Sequence, residues 1–317
     1  MTIAPIVLFV YNRPDNTLQT LNALSENEEA KSSVLYIYCD GPKNKSDNLN
    51  IEKIKNVRSF CKNENRFKEV VIIEREENIG LASSVISGVT EIVNKFGKVI
   101  VLEDDIFTSK YFLKFMNDAL NLYQNHFKVI SIGACNYFVL GKKYSSTFFI
   151  PIPDCLGWAT WSDRWKLFEP DSNKLLTEIS QKNLIERFNL YGCYNFSGML
   201  KDNAEGKVSS WAIRWQAIAY LNNMITLYPN PSVTHHLASS DSTHTNDLNI
   251  KPALAINPIN ITEENKSVKT VNYYLMMKAY YLYFDNKFLS RLKKSVLLLK
   301  LWMRNKKRII AENNLIS

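Results

Sequence analysis

Three consecutive carboxylates, Glu103, Asp104 and Asp105, close the run VIVLEDD at residues 99–105. The apolar residues ahead of them read as a strand buried on both faces of a parallel sheet. Acids have no use inside such a strand, so they belong at its carboxyl end, where open α/β sheets bind ligands. Adjacent carboxylates repel one another unless something positive holds them. A hard divalent cation bridging to a phosphate fits that requirement. A solvated acidic turn is the alternative.

Three other apolar runs end in polar groups. Residues 3–10 lead into Tyr11, Asn12 and Arg13, residues 34–39 into Asp40-Gly41-Pro42, and residues 70–74 through Arg75 to Asn78-Ile79-Gly80. Taken singly, Asp-Gly-Pro is a turn signal and Asn-Ile-Gly a helix cap. Four such sets at one sheet edge would line a single crevice. No G-x-G-x-x-G and no Walker-type loop follows the first run, so cradling of phosphates by backbone amides is unsupported. A ligand carrying a diphosphate would need a metal instead, and the carboxylates would hold it.

The elements that must position these groups follow from periodicity. Strands are expected at residues 3–10, 34–39, 70–74, 99–102 and 129–133. Between them, residues 17–24 and 51–61 read as helices. Leu81, Val85, Val89, Ile92 and Phe96 share one helical face, as do Phe112, Phe115, Met116, Ala119 and Leu122. Strands alternating with helices predict an α/β fold with a mostly parallel, doubly wound sheet. After residue 135 the rhythm breaks. Aromatic and loop-forming residues fill 137–170, helical patterns return at 184–188 and 211–222, and a strand is expected at 225–228, ahead of a polar run at 235–247. The last sixty residues read as mostly helical.

Composition fits a globular protein: 317 residues, 46% hydrophobic and 22% charged. No run of 18 apolar residues is present, and residues 1–15 lack a basic leader and a cleavage site. The five cysteines are scattered without metal-type pairing. Reduced thiols in the cytoplasm are therefore expected. The formal charge of +8 is local in origin. Nine Lys and Arg and no acid lie between Lys287 and Arg308, and the remainder holds 30 basic against 31 acidic residues. This argues against nucleic acid as a partner and for an anionic surface reached through the tail.

The ordered set PIVLFVYNRP, YIYCDGP, REENIGLASSVISGV and VIVLEDDI resembles the nucleotide-diphospho-sugar glycosyltransferases of the GT-A fold, most closely those of bacterial surface polysaccharides. LGWATWSDRW, SWAIRWQ and DSTHT extend the resemblance to residue 246. It implies a GT-A catalytic domain over residues 1–250, with a nucleotide-sugar half to about 135 and an acceptor half beyond. A helical basic tail over 251–317 would follow. It further implies that Asp105 coordinates Mn2+ or Mg2+ across the two phosphates, with His244 a further ligand. Glu103 and Asp104 would lie on the nucleotide side, Asp104 against ribose or a metal-bound water. Tyr11, Asn12, Arg13 and Asp40 would hold the base, and Arg75, Asn78 and Gly80 would line the cleft. The implied activity is inverting hexosyl or N-acetylhexosaminyl transfer from a UDP-linked donor to a glycan or lipid-linked oligosaccharide.

An inverting displacement needs a base for the acceptor hydroxyl. Asp154, Asp202 and Asp241 are the leading candidates, with Asp163 and Glu205 behind them. Where related chains carry an acid or amide ahead of SWAIRW, this chain has Ser209 and Ser210. Among the tryptophans, Trp158 and Trp211 are expected on the acceptor side and the others in the core. Arg214 is read as either a phosphate or acceptor contact or a salt bridge. His235 and His236 read as structural or exposed. In the tail, Phe288, Leu292, Val296, Leu299 and Met303 share a face away from most of the basic residues, which suits an interfacial helix on an anionic membrane. Two competing functions are a catalytically silent sugar-nucleotide or glycan binding module, and a nucleotidyltransferase. The second lacks its usual glycine-rich basic loop after Val10.

Overall fold

Alternating side chains of the first strand build two hydrophobic layers. The computed structural model describes residues 3–136, 146–190, 194–237 and 252–261. In β1 (Ile6–Val10) all five residues are buried. Ile6, Leu8 and Val10 enter one core, and Val7 and Phe9 the other. Successive strand side chains point to opposite faces, so a strand buried on both faces must be apolar throughout. The buried stretches of β2 (Val34–Cys39) and β4 (Lys98–Glu103) follow the same rule, with Val34, Lys98 and Glu103 only partly buried at their ends. One layer of helices comprises α1 (Pro14–Ser25), α2 (Asn48–Lys62) and α4 (Phe112–Leu122). The other is led by α3 (Leu81–Phe96), whose Val85, Val89 and Ile92 are fully buried.

Between these layers lies an eight-stranded sheet. Parallel β3 (Glu69–Glu74), β2, β1 and β4 form one half. Next comes β8 (Trp158–Trp161), antiparallel to both β4 and β6 (Val129–Gly133). Beyond it β9 (Ile225–Pro229) runs parallel to β6, and β7 (Thr147–Ile150) closes the edge antiparallel. The chain moves outward from β1 to β3, then returns to the other side of β1 as β4. That reversal leaves a crevice at the carboxyl ends of β1 and β4. A separate two-stranded sheet pairs β5 (Ile106–Thr108) with β10 (Thr234–His236).

The α/β class, the mostly parallel sheet and its flanking helices agree with the sequence reading. The loop expected over 137–170 does not: it contains β7, β8 and the short α5 (Ser162–Trp165). Only four residues long and buried on every side, β8 reads WATW, which carries no alternation to betray a strand. Three further helices, α6 (Ser172–Gln181), α7 (Ile185–Phe188) and α8 (Phe196–Ala204), precede α9 (Trp211–Leu221). Of the tail expected as helical over 251–317, residues 252–261 are described and form no helix; the remainder, including 287–308, lies outside the described residues.

Trp158, Trp165 and Trp215 pack together under α9, with ring centroids 5.0 to 6.4 Å apart. Trp215 is fully buried. Trp215→Ala should cost about 3–5 kcal/mol through lost transfer energy and an unfilled cavity. Urea unfolding would read this as a lower midpoint; an unchanged midpoint would mean that the cluster contributes little to the cooperative core.

Candidate functional site

The acid triplet sits at the reversal point. Glu103 ends β4 in register with Phe9 of β1. By the alternation of the strand it follows Val101 onto the α3 and α9 side, where the Trp211 indole N–H hydrogen-bonds it. Asp104 and Asp105 form the turn into β5 and are both buried, at 6% and 7% exposure. Arg13, between β1 and α1, sends Nη1 to Asp105 Oδ2 at 2.8 Å and to Asp104 Oδ1 at 3.3 Å. The Tyr11 amide donates to Asp104 Oδ2 at 3.4 Å, and Thr20 Oγ1 to the Asp104 carbonyl at 2.9 Å.

The pairing of β10 with β5 sets His236 opposite Ile106, next to the triplet. His236 Nε2 lies 3.1 Å from Asp105 Oδ2, and the Leu237 amide donates to the Asp105 carbonyl at 2.7 Å. His235 stacks on Phe107 with centroids 4.9 Å apart. The sequence reading took both histidines as structural or exposed. His236 is partly exposed and contacts Asp105, the last carboxylate of the triplet.

The three acids differ in charge state for identifiable reasons. Burial, then repulsion from Asp105 and Asp104, pushes Glu103 up to about 8. Burial and Asp105 push Asp104 up to about 7 against the pull of Arg13. Burial also opposes ionisation of Asp105. There the His236 hydrogen bond and the charges of His236 and Arg13 outweigh it, and Asp105 stays below the usual carboxylate range. Asp105 is thus the ionised carboxylate on which Arg13 and the His236 imidazole converge.

A second set of contacts fixes the rim beside β2 and β3. Asp40 Oδ1 accepts the amides of Gly41 and Ile79, and Oδ2 that of Gly80, each at 3.1 Å. Asn78 Nδ2 returns a hydrogen bond to the Gly41 carbonyl at 3.0 Å. A Cβ on Gly41 would meet the Glu77 backbone at 2.5 Å, so only glycine allows the two loops to touch. Gly80 caps α3 at φ +80° and ψ 154°, a conformation that is essentially glycine's own. Arg75 donates to the hydroxyls of Ser84 and Ser87 in α3, with its guanidinium over the Tyr38 ring. Asn50, on α2, was missed from sequence. It receives Asn12 Nδ2 at 2.8 Å and donates to the Tyr11 hydroxyl at 2.9 Å, orienting both residues.

The acceptor-side expectations fare differently. Trp158 and Trp211 are 1% and 3% exposed and stack on each other at 4.9 Å, so their ring faces pack the core and present no platform to a sugar. Spacing cannot separate these roles, because both demand large apolar faces. Arg214 donates to the carbonyls of Ser210 and Pro170, both at 3.1 Å, and ties α9 to the preceding loop. Asp202 is half exposed and lies 3.6 Å from Lys207 Nζ. Asp154 accepts the amides of Cys135, Cys155 and Leu156 at 2.8 to 3.1 Å, joining the end of β6 to the approach to β8. Asp241 and His244 lie outside the described residues. Among the described residues, no three His, Cys, Asp or Glu side chains form a ready metal cage.

No protein-family model and no curated protein matches the chain in sequence. Among solved structures it is similar to S. aureus TarS 1–349, at 12% identity and a TM-score of 0.36, over 72% of this chain and 60% of that one. An active-site mutant of LgtC matches at 11% and 0.33, over 56% and 64%. UDP-glucose pyrophosphorylase complexed with UDP-glucose matches at 10% and 0.36, over 73% and 92%. The chain therefore spans less than two thirds of the length of the TarS and LgtC chains.

Burial pushes Asp154 up to about 6, against the pull of its backbone amides. A carboxyl whose folded value lies above its unfolded value stabilises fully below the unfolded value, and that contribution fades as pH rises through the folded one. Stability should therefore decline between about pH 4 and pH 6 by an amount that Asp154→Asn removes. Denaturant unfolding across that range tests this; parallel pH profiles for the two proteins would refute it.

Proposed function

We propose that this chain is a metal-dependent glycosyltransferase moving a sugar from a nucleotide-diphosphate donor, a UDP-sugar, to a glycan or lipid-linked acceptor of bacterial surface polysaccharide. The observation that carries this reading is the convergence of Asp104, Asp105, His236 and Arg13 at the reversal of strand order. A carboxylate oxygen and an imidazole nitrogen meeting at one point form a donor pair that suits Mn2+ better than Mg2+. Asp105 and His236 would hold the ion, with Asp104 beside them and His244 the further ligand implied by the sequence. When bound, such an ion offsets the charge that develops on a departing nucleoside diphosphate.

The chain's own residues supply the rest. Arg13 brings a permanent positive charge to the same mouth. Tyr11 and Asn12, held by Asn50, offer an aromatic face and an amide to a base. The rim tied by Asp40 is preorganised and needs no rearrangement to receive a ribose or phosphate. Inverting transfer would need Asp154, Asp202 or Asp241 to take the acceptor proton. Asp154 is engaged by backbone amides and Asp202 by Lys207, and this favours one second reading, a catalytically silent sugar-nucleotide-binding module. Residues 287–308 would attach the protein peripherally to the inner face of an anionic membrane, close to lipid-linked acceptors.

Asp105→Ala is expected to abolish Mn2+-dependent UDP binding while the fold persists. At a hundredfold excess over Kd the parent should gain about 2.7 kcal/mol of stability from ligand, and the variant none. Equal thermal stabilisation of both would remove the assigned cation site. Turnover of donor in the parent separates enzyme from silent module. Deleting residues 287–317 should release the protein from phosphatidylserine vesicles; unchanged sedimentation would end the membrane proposal.

A further inference from the structure

We infer that Arg13 is a tethered counter-ion that competes with the divalent cation for Asp104 and Asp105, and that the cation's arrival hands the guanidinium to the diphosphate. This inference rests on the cation reading proposed above. Arg13 Nη1 points its hydrogens at Asp105 Oδ2 and Asp104 Oδ1, and Oδ2 is also the partner of His236. A metal ion bound at Asp105 Oδ2 beside His236 would share that oxygen with the guanidinium, so the two cations repel and compete there.

Geometry allows the exchange. Arg13 lies on the short connection between β1 and α1, with its side chain 24% exposed, whereas the Asp104 and Asp105 side chains are 9% and 10% exposed. Asp104 and Asp105 are fixed by the Tyr11 amide on the Asp104 carboxylate, by Thr20 on the Asp104 carbonyl and by the Leu237 amide on the Asp105 carbonyl. The guanidinium is held only through the carboxylates: no other hydrogen bond or ion pair of its side chain is seen among the described residues. A displaced arginine keeps its charge and its planar fork, which matches phosphate oxygens. The consequence is coupling: the cation binds less tightly alone than its donor set permits, and the anionic ligand recovers the difference.

Titrating Mn2+ into the full chain, with free Mn2+ read by electron paramagnetic resonance, tests this with and without UDP. Without nucleotide, Arg13→Gln should bind Mn2+ about fivefold more tightly than the parent, the scale of one partly exposed ion pair. At saturating Mn2+ its UDP affinity should fall about tenfold. Arg13→Lys, which keeps the charge without the fork, should fall between. Equal or weaker Mn2+ binding by Arg13→Gln with an unchanged circular dichroism spectrum overturns the inference and leaves the cation site standing. Absence of Mn2+ binding by the parent overturns the cation reading itself. Should Arg13→Gln not fold, the parent decides. Saturating Mg2+ must shift the Arg13 Nε–H resonance, and an unmoved resonance overturns the inference.

Discussion

Repulsion among three neighbouring carboxylates is the constraint around which the mouth of the sheet is arranged. Like charges at such short range cannot all ionise in a buried setting without positive partners. The fold meets this unequally. Asp105 receives a guanidinium and an imidazole and stays ionised, whereas Glu103 and Asp104 are driven toward their protonated forms. The result is one ionised carboxylate at the end of a central strand, held between Arg13 and His236.

Two kinds of contact deliver these groups, and they differ in reach. Asp40, Asn78 and Gly80 are joined by side-chain-to-backbone hydrogen bonds between the loops that follow adjacent parallel strands, so the rim follows once β2 and β3 pair. Arg13 needs the adjacency of β1 and β4. His236 needs more: a strand more than a hundred residues downstream must return antiparallel beside β5.

That hierarchy accounts for how far the sequence could be read. β2 and β6 and the helices over 81–96 and 112–122 emerged within a residue or two, because apolar periodicity records burial directly. The grouping of Tyr11, Arg13, Asp40, Asn78 and the triplet followed from parallel topology alone. His236 was hidden because nothing local distinguishes a histidine that faces Asp105 from one that stacks on Phe107. Asn50 was hidden because a helix amide gives no sign of the loop it braces. Trp158 and Trp211 were misplaced because a core aromatic and a sugar platform are the same residue type at the same spacing. In β8 the aromatic content that suggested a loop fills both layers, Trp158 beneath α9 and Trp161 against α4.

The small β5–β10 ribbon has a consequence for how this protein can change over generations. Three residues on each side define the whole ladder, and His236 occupies its last rung. Because neighbouring strand positions face opposite ways, inserting or deleting a single residue in the short connector at 230–233 would turn the imidazole away from Asp105 with every side chain at the mouth intact. Ser232 and Val233 are buried there and Ser232 Oγ donates to the Ala134 carbonyl, so composition and length are both constrained. A one-codon indel there would therefore separate His236 from Asp105 while the acids and the Asp40 rim stay in the sequence.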